Sequence, residues 1–308
     1  MKKYKAALTD FSGGLNDSFD PSAIGAAYSS KLENLYLRGP HIYRRNGIPK
    51  YAGGFAERVT GLFAYGKEVG NWLLIAGLQS GLSSVVAGAP VALSNLDSVS
   101  IPSSDDPWRM RQYKNVGYTV RAGVLGLLRF TDTGFSLAGI DKPATAPTIA
   151  AVAGGTMEAG ARHVVMTFVN LDTDVESNPS SDSNSATLVA NDRISVTNAA
   201  VSSNPQVTGR RFYVELADIP GQYYLALETT DLTSTSFILD KQIKDLGALA
   251  SFRNARPAQV EYIDLEVWKE RLWLATGVDL LYSENIAGVG LAECFAAANF
   301  IPIFPDDR

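Results

Sequence analysis

Histidines and carboxylates are the side chains of this sequence that could support catalysis or metal binding. His41 and His163 are the two histidines among the 308 residues, and neither has a second metal ligand at a suitable spacing. An ordinary surface or half-buried histidine is therefore the favoured interpretation of each. Nucleophile-elbow, P-loop, dinucleotide-binding and HExxH motifs do not occur. These patterns predict a protein with no catalytic residues, no bound metal and no cofactor.

Three groups of carboxylates lie close together in the sequence, at Asp105-Asp106, at Asp172, Asp174 and Glu176, and at Asp306-Asp307. The second group occupies alternate positions, so its side chains would point one way along an extended chain and could hold Ca²⁺. No EF-type spacing with a glycine accompanies it, which favours a solvated loop. Glycoside hydrolysis needs two carboxyl groups facing each other across a bond, and closeness in sequence does not establish that arrangement.

Two arginine pairs and four tryptophans complete this set of side chains. We interpret Arg44-Arg45 as donors of salt bridges between subunits rather than as phosphate contacts. Arg210-Arg211 fit alternating inward and outward positions of a strand, with their aliphatic stems packed on the sheet. The tryptophans are predicted to be core residues, with a sugar-stacking role left open for one of them; they are Trp72, Trp108, Trp268 and Trp273.

The composition favours short strands and turns as the elements that position these residues. Hydrophobic residues make up 46% and charged residues 19%, which is ordinary for a globular protein, while 27 glycines and 14 prolines suit a chain with many turns. The single cysteine excludes an intrachain disulfide and fits synthesis in a reducing cytoplasm. No stretch reaches the roughly 18 apolar residues of a membrane span.

Residues 1–54 are predicted to form an extended N-terminal arm. Turn residues dominate it, with one short helix predicted over 23–37 and a hairpin over 41–48 that turns at Asn46-Gly47. Residues 1–50 carry eight Lys/Arg and four Asp/Glu, a balance of +4, so the remainder of this −5 chain carries −9. A basic arm on an acidic body favours docking of the arm on an acidic neighbour, although chance solvation explains the asymmetry equally well.

The rest of the chain is predicted to be all-β, with partial β-propeller blades and an inserted immunoglobulin-like or fibronectin III-like sandwich. Two sets of four short apolar segments, some 40 to 45 residues apart, predict blades 1 and 2 over 55–142. About seven short strands are predicted in 143–256, and their number and spacing are typical of such a sandwich. The blade pattern returns over 257–308, with strands expected at 260–263, 271–275 and 280–283 and an outer strand at 300–303. Three blades cannot close a ring, which predicts either a fragment or an edge covered by neighbours.

Three stretches resemble the tail nozzle, or tail tubular protein B, family of short-tailed bacteriophages and related tail-hub proteins. They are Phe11-Ser12-Gly13-Gly14-Leu15 through Tyr43-Arg44-Arg45-Asn46-Gly47, the segment from Thr167-Phe168-Val169 to Gly209-Arg210-Arg211-Phe212-Tyr213, and Glu270-Arg271-Leu272-Trp273-Leu274-Ala275 with Leu281-Tyr282-Ser283-Glu284. The resemblance covers nearly the whole chain through short motifs in the same order. Family relatives generally continue further to finish the propeller.

The resemblance implies a structural subunit of a virion, made in the host bacterial cytoplasm, that forms a homo-oligomeric ring next to other tail, adaptor or portal proteins. DNA would pass through the channel of this ring without specific binding. Two alternatives remain open, a tail-associated adhesin that binds or cleaves glycans and, less favoured, a head-tail adaptor. In the leading interpretation, the arm supplies the assembly contacts, which are Phe11, Leu15, Phe19, Arg44 and Arg45.

Overall fold

The computed structural model divides the chain into two compact units, residues 1–51 and 52–308. It describes four short strands within the first 44 residues and then residues 54–66, 72–216, 218–250, 252–286, 289–291, 293–296 and 299–302. Nearly all regular structure is β-strand, as predicted. The one helical element among these residues is a single 3₁₀ turn, Ile243–Asp245.

Four short strands lie within the first unit, where the sequence pattern predicted one helix and one hairpin. They are β1 (Gly14–Leu15), β2 (Tyr28–Ser29), β3 (Leu35–Arg38) and β4 (His41–Arg44). The predicted helix over 23–37 is wrong, because β2 and the start of β3 occupy it. The structure pairs β3 with β4, so the hairpin strands are 35–38 and 41–44, whereas the hairpin was predicted over 41–48. Asn46-Gly47 lies outside the described residues. Gly39-Pro40 is itself a strong turn signal that competes with Asn-Gly.

Residues 54–137 form two sheets, each built on four antiparallel strands in chain order. Sheet 1 contains β5 (Val59–Gly66), β6 (Trp72–Leu78), β7 (Leu82–Val86) and β8 (Ala89–Ala92). Sheet 2 contains β10 (Arg109–Tyr113), β11 (Val116–Val120), β12 (Leu128–Phe130) and β13 (Gly134–Leu137), and β9 (Ser94–Asn95) pairs with β13 in parallel. Both sets agree with the strands predicted for this region.

Sheet 3, near the end of the chain, repeats the same arrangement. It contains β23 (Asp264–Trp268), β24 (Arg271–Ala275), β25 (Asp279–Tyr282) and β28 (Phe300–Pro302), and a small hairpin of β26 (Glu284–Ile286) and β27 (Val289–Leu291) separates its last two strands. The outer strand lies where it was predicted. The first strand begins four residues later than the predicted 260–263, because the β23–β24 hairpin turns at Lys269 and Glu270, which both adopt positive φ.

Sheet 2 lies between sheets 1 and 3 and is covered on both faces. One face packs on sheet 1 in a core that includes Tyr65, Ile75, Met110 and Phe130. The opposite face packs on sheet 3 in a second core that includes Tyr118, Leu272 and Leu274. Strand β10 of sheet 2 lies beside both β5 and β23, so the first strands of the three sheets are neighbours. Every residue of β11 and β12 is buried as a result.

Between sheets 2 and 3 the chain forms two further sheets that pack face to face around one core. The three-stranded sheet contains β14 (Thr148–Met157), β19 (Asp192–Thr197) and β22 (Phe237–Leu239). The four-stranded sheet contains β17 (Val175–Glu176), β16 (Val164–Asn170), β20 (Gly209–Leu216) and β21 (Ile219–Thr229). A short pair, β15 (Gly160–Arg162) and β18 (Ala186–Leu188), completes the sandwich. Its core joins Ile149 and Ile194 to Met166 and Phe212.

Polar side chains hold the sandwich against the neighbouring sheets. Buried Gln206 donates through Nε2 to the carbonyls of Leu137, the last residue of β13, and of Gly139 just after it. At the same end of the sandwich, the Arg256 guanidinium pairs with the Asp141 carboxylate. This ion pair joins the chain segment that enters the sandwich to the segment that leaves it.

Candidate functional site

The predicted assembly residues all lie in the first unit, and the structure describes the backbone of two of them. Leu15 lies in β1, which pairs in parallel with β2, and Arg44 lies in β4 opposite Leu35. Phe11, Phe19 and Arg45 lie outside the described residues. The assembly role of all five residues therefore stays a prediction.

The carboxylates at the start of β17 form an ion-pair cluster around Arg211. Arg211 Nη1 lies 2.8 Å from Glu176 Oε2, Nη2 lies 3.0 Å from Asp174 Oδ1, and Nε lies 2.7 Å from Glu228 Oε2. Tyr213 donates to Glu176 Oε1 at 2.7 Å. Burial and the Glu176 carboxylate raise the pKa of Tyr213. Because each of these carboxylates already pairs with the Arg211 guanidinium, the cluster fits a structural role better than a Ca²⁺ site.

His163 and the other candidate metal ligands are dispersed in the part of the chain that the structure describes. Nδ1 of His163 lies 3.1 Å from the carbonyl oxygen of Ser183, on a neighbouring segment of the sandwich. No group of three or more His, Cys, Asp or Glu side chains with metal-binding geometry occurs among the described residues.

Two buried arginines tie neighbouring segments together through backbone carbonyls. Arg121 donates through Nη1 to the Gln79 carbonyl at 2.7 Å, and its guanidinium lies 4.5 Å from the centre of the Trp108 ring. Arg210 donates through Nε to the Asp231 carbonyl at 2.7 Å. Burial lowers the pKa of both. Arg210 points into the sandwich core while Arg211 points out, which confirms the predicted alternation.

Glu293 is a buried carboxylate that the sequence analysis did not single out. It accepts from the Tyr118 hydroxyl at 3.0 Å and from the Gly139 backbone N–H, and its Oε1 lies 3.2 Å from Nε of Arg129. Both carboxylate oxygens thus face groups of sheet 2 or the chain just after it. Burial and the Glu293 carboxylate raise the pKa of Tyr118 well above its usual range. A signal existed in the sequence, since Glu293 is the one charged residue between Ile286 and Ala298.

Cys294, the neighbour of Glu293, is a fully buried thiol between sheet 3 and the sandwich. Its sulfur lies 3.9 Å from the carbonyl oxygen of Glu176. Burial and the nearby Glu293 carboxylate raise the pKa of Cys294 to about 12. The thiolate, which is the reactive form, is therefore scarce at neutral pH.

We expect alkylation of Cys294 to be slower in the native protein than in urea-unfolded protein by about three orders of magnitude at pH 8, from the rise in pKa alone. Burial slows the reaction further. Mass spectrometry after timed exposure to iodoacetamide measures both rates. Labelling of the native protein at a rate within tenfold of the unfolded rate would contradict this placement of the thiol.

An aromatic cluster lies on the side of sheet 3 that faces away from sheet 2. The ring centres of Trp268 and Trp273 are 5.8 Å apart, and those of Trp273 and Tyr282 are 5.0 Å apart. Lys269 lies 4.4 Å from the Trp268 ring centre. Trp268 is 55% exposed. The prediction that all four tryptophans are core residues is confirmed for Trp108 and wrong for Trp72 and Trp268, which lie on outward faces of the end sheets.

A groove of about 660 Å³ lies beside sheet 1. Its lining is mixed, with Leu82, Leu93 and Ile101 next to Glu57 and Asn95. The Glu57 carboxylate is already engaged by the backbone N–H of Ser80 at 2.8 Å. The groove therefore presents no convergent set of unpaired polar groups that would identify a ligand.

Comparisons with protein-family models and with curated proteins find no match to this chain. In the part of the chain that the structure describes, no helix is long and apolar enough to cross a membrane.

Proposed function

We propose that this chain is a structural subunit of a bacteriophage tail ring, a nozzle or hub that forms part of the channel for DNA ejection. One observation carries the proposal: three four-stranded meander sheets follow one another, with a two-sheet sandwich between the second and the third. The resemblance to tail nozzle proteins predicts the same order of elements. The chain then acts by assembling, with no catalytic residues of its own.

In this proposal, sheets 1 to 3 are blades of a β-propeller. Propeller blades are four-stranded antiparallel sheets arranged radially, with their first strands near a common axis. The adjacency of β5, β10 and β23 and the coverage of sheet 2 on both faces support this arrangement. The inserted sandwich is of the fibronectin III type, which is supported by the seven strands of its two packed sheets.

The proposed partners are copies of this chain in a ring, neighbouring tail, adaptor or portal proteins, and DNA that passes without being gripped. The balance of −9 outside residues 1–50 supports such a passage, because an acidic surface repels the phosphate backbone. The proposed location is the virion, after synthesis in the host bacterial cytoplasm.

Removal of residues 1–20 tests the assembly role of the arm. We expect the shortened chain to keep its β-rich circular dichroism spectrum and to be absent from purified tails, because the described cores lie entirely in the second unit. Incorporation is measured by mass spectrometry of purified particles produced with the shortened gene.

The double variant Arg44→Glu, Arg45→Glu is a companion to that deletion, and we expect it to weaken incorporation in a salt-dependent manner. Lys241→Glu, Lys244→Glu, at two exposed lysines that follow strand β22 of the sandwich, is the matched charge reversal and should leave incorporation unchanged. Normal incorporation of the shortened chain, or its unfolding, would show that the arm does not have this role.

A carbohydrate-binding adhesin of the tail is the second candidate, favoured by the aromatic cluster in which Trp268 is exposed and Trp273 and Tyr282 are half-buried. Exposed aromatic rings are common stacking surfaces for sugars. Titrating host polysaccharide into the protein while tryptophan fluorescence is recorded separates the two candidates. A saturable change in fluorescence that is lost in Trp268→Ala supports the adhesin. A head-tail adaptor remains the third and weaker candidate.

A further inference from the structure

The sandwich is connected to the sheets by two chain segments that lie against each other. The entering segment passes through Gly139, which has a φ of +85°, and a β-carbon there would lie 2.4 Å from Cβ of Arg256 in the leaving segment. Glycine suits both the positive φ and the close approach. A domain that is attached only through two such segments is expected to move relative to its neighbours. The contacts around these segments decide whether this sandwich can do so.

A short irregular segment, residues 293–296, fills the junction between the sandwich and the sheets, and we call it the clamp segment. The Glu293 carboxylate accepts from the Tyr118 hydroxyl of sheet 2 at 3.0 Å and lies 3.2 Å from Nε of Arg129 in the same sheet. It also accepts from the N–H of Gly139 in the entering segment. One buried carboxylate therefore joins sheet 2 to the start of the sandwich.

The next two residues of the clamp segment contact the sandwich and the segment that leaves it. The Phe295 N–H donates to the Ala255 carbonyl at 2.6 Å, while the Phe295 ring packs in the core between sheets 2 and 3. The Cys294 sulfur lies 3.9 Å from the carbonyl oxygen of Glu176 in β17. The clamp segment is thus bound to both connecting segments, to the sandwich and to the core of the sheets.

The leaving segment is itself bound along the sandwich, and its described residues between 247 and 256 are called the strap. At its start, the Gly247 N–H donates to the Leu225 carbonyl of β21 at 2.7 Å, so the strap extends the four-stranded sheet at this edge. Further along, the Phe252 ring centre lies 5.8 Å from that of Tyr213 on the outer face of the same sheet. The strap therefore covers part of the sandwich before it reaches the junction.

Asn254 fixes the strap immediately before the clamp segment. Its backbone N–H donates to Oδ1 of Asn178 at 2.9 Å, and its side-chain amide donates to the Ser177 carbonyl at 3.5 Å. Asn254 is buried, so its N–H would have no access to water as a replacement partner. The adjacent residue, Ala255, is the one whose carbonyl the clamp segment binds.

We infer that the clamp segment and the strap hold the sandwich in one fixed orientation on sheets 2 and 3, so that it does not pivot in the folded protein. A pivot would separate Glu293 from Arg129 or from Gly139, and an unpaired charge in a buried site is strongly unfavourable. The sandwich and these sheets consequently open together, by global unfolding. This inference concerns the subunit alone, and its test does not depend on the proposed function.

Cys294 reports any opening of the junction, because its thiol is buried between sheet 3 and the sandwich. The rate of its alkylation by iodoacetamide in the full chain, divided by the rate in unfolded protein, gives the fraction of molecules with an accessible thiol. Circular dichroism gives the unfolded fraction at the same urea concentrations, below the unfolding transition. For the unmodified protein we expect the two fractions to agree within about threefold and to rise equally steeply with urea, as global unfolding requires.

Asn178→Ala removes the acceptor that holds the N–H of Asn254. We expect thiol accessibility in this variant to exceed its own unfolded fraction by about tenfold or more, and to depend only weakly on urea, because the strap can then open locally. Asn95→Ala is the matched control, since Oδ1 of Asn95 likewise accepts from a backbone N–H, that of Val99, but in an exposed loop. In the control the two fractions should stay equal. Phe252→Ala replaces Asn178→Ala if the circular dichroism spectrum of that variant changes.

Two results would overturn the inference. Thiol accessibility in the unmodified protein that exceeds the unfolded fraction by about tenfold would show that the junction opens while the rest of the protein stays folded. Equal behaviour of Asn178→Ala and Asn95→Ala would show that the strap does not hold the sandwich in place.

Discussion

Replacement of Glu293 by glutamine is expected to lower the free energy of unfolding by about 3–5 kcal/mol, the range found when one partner of a buried ion pair is removed. The amide oxygen of the glutamine can still accept a hydrogen bond from the Tyr118 hydroxyl or from the Gly139 N–H. Its NH₂ group, however, would face groups that are themselves hydrogen-bond donors. The charge of Arg129 also loses its counter-charge in a site closed to water. Urea unfolding of the full chain, followed by far-UV circular dichroism, measures the loss.

Glu266→Gln is the control for this substitution. Glu266 of sheet 3 pairs with Arg111 of sheet 2 at 2.9 Å, so it also joins these two sheets, but both side chains are substantially exposed. Exposed ion pairs contribute roughly 0–1 kcal/mol. Equal losses of unfolding free energy for Glu266→Gln and Glu293→Gln would contradict the conclusion that burial makes the Glu293 ion pair more important. The double variant Arg129→Met, Glu293→Leu should cost less than the sum of its single changes, because it leaves no buried charge unpaired.

The number and order of the short strands in sheets 1 and 2 could be predicted from local sequence. The segments of sheets 1 and 2 are short apolar runs separated by glycine, asparagine or proline, and each run became a strand paired with its neighbour in the chain. Pairing of consecutive strands needs only a turn, and turn residues are visible in sequence. The alternation of Arg210 and Arg211 was predictable for the same reason, since successive strand residues point to opposite faces.

The ends of strands that depend on the choice between two turns, or on contacts distant in sequence, could not be predicted in this way. Turn signals occur in the sequence at both Gly39-Pro40 and Asn46-Gly47, and only the pairing of β3 with β4 shows which strands form the hairpin. The turn at Lys269 and Glu270 places two non-glycine residues at positive φ, where no local preference points to them. The predicted strand at 260–263 was therefore displaced by four residues.

The burial of individual side chains also depends on distant packing. Trp72 and Trp108 both lie in or next to apolar strands, yet only Trp108 faces another sheet. Glu293 is acidic like many surface residues, and its burial follows from the approach of Arg129 and Tyr118, which are more than 150 residues away in sequence. A lone charge in an apolar segment is the only local indication of such a contact.

Trp108 packs onto a glycine surface at the contact between sheets 1 and 2. Gly61 and Gly77 are paired across β5 and β6, and the Trp108 side chain lies against both. The indole N–H donates to the Leu78 carbonyl at 2.8 Å, and the Arg121 guanidinium covers the ring. A β-carbon at Gly77 would lie 2.2 Å from Cδ1 and 2.8 Å from Cβ of Trp108. These contacts hold the Trp108 ring in one position, so it has little space to move away from an added β-carbon.

Gly77→Ala is accordingly expected to lower the free energy of unfolding by about 1–3 kcal/mol, the usual cost of overpacking a core. It should also shift the tryptophan emission to longer wavelength, because the displaced Trp108 ring loses its bond to Leu78 and gains contact with water. Gly81→Ala is the control four residues away, where a β-carbon meets no atom within 4 Å. That control should change stability by less than about 0.5 kcal/mol, as surface substitutions do. Urea unfolding and fluorescence of both variants measure the difference. If Gly77→Ala behaves like Gly81→Ala, then Trp108 does not pack on Gly77 and the described contact between sheets 1 and 2 is wrong.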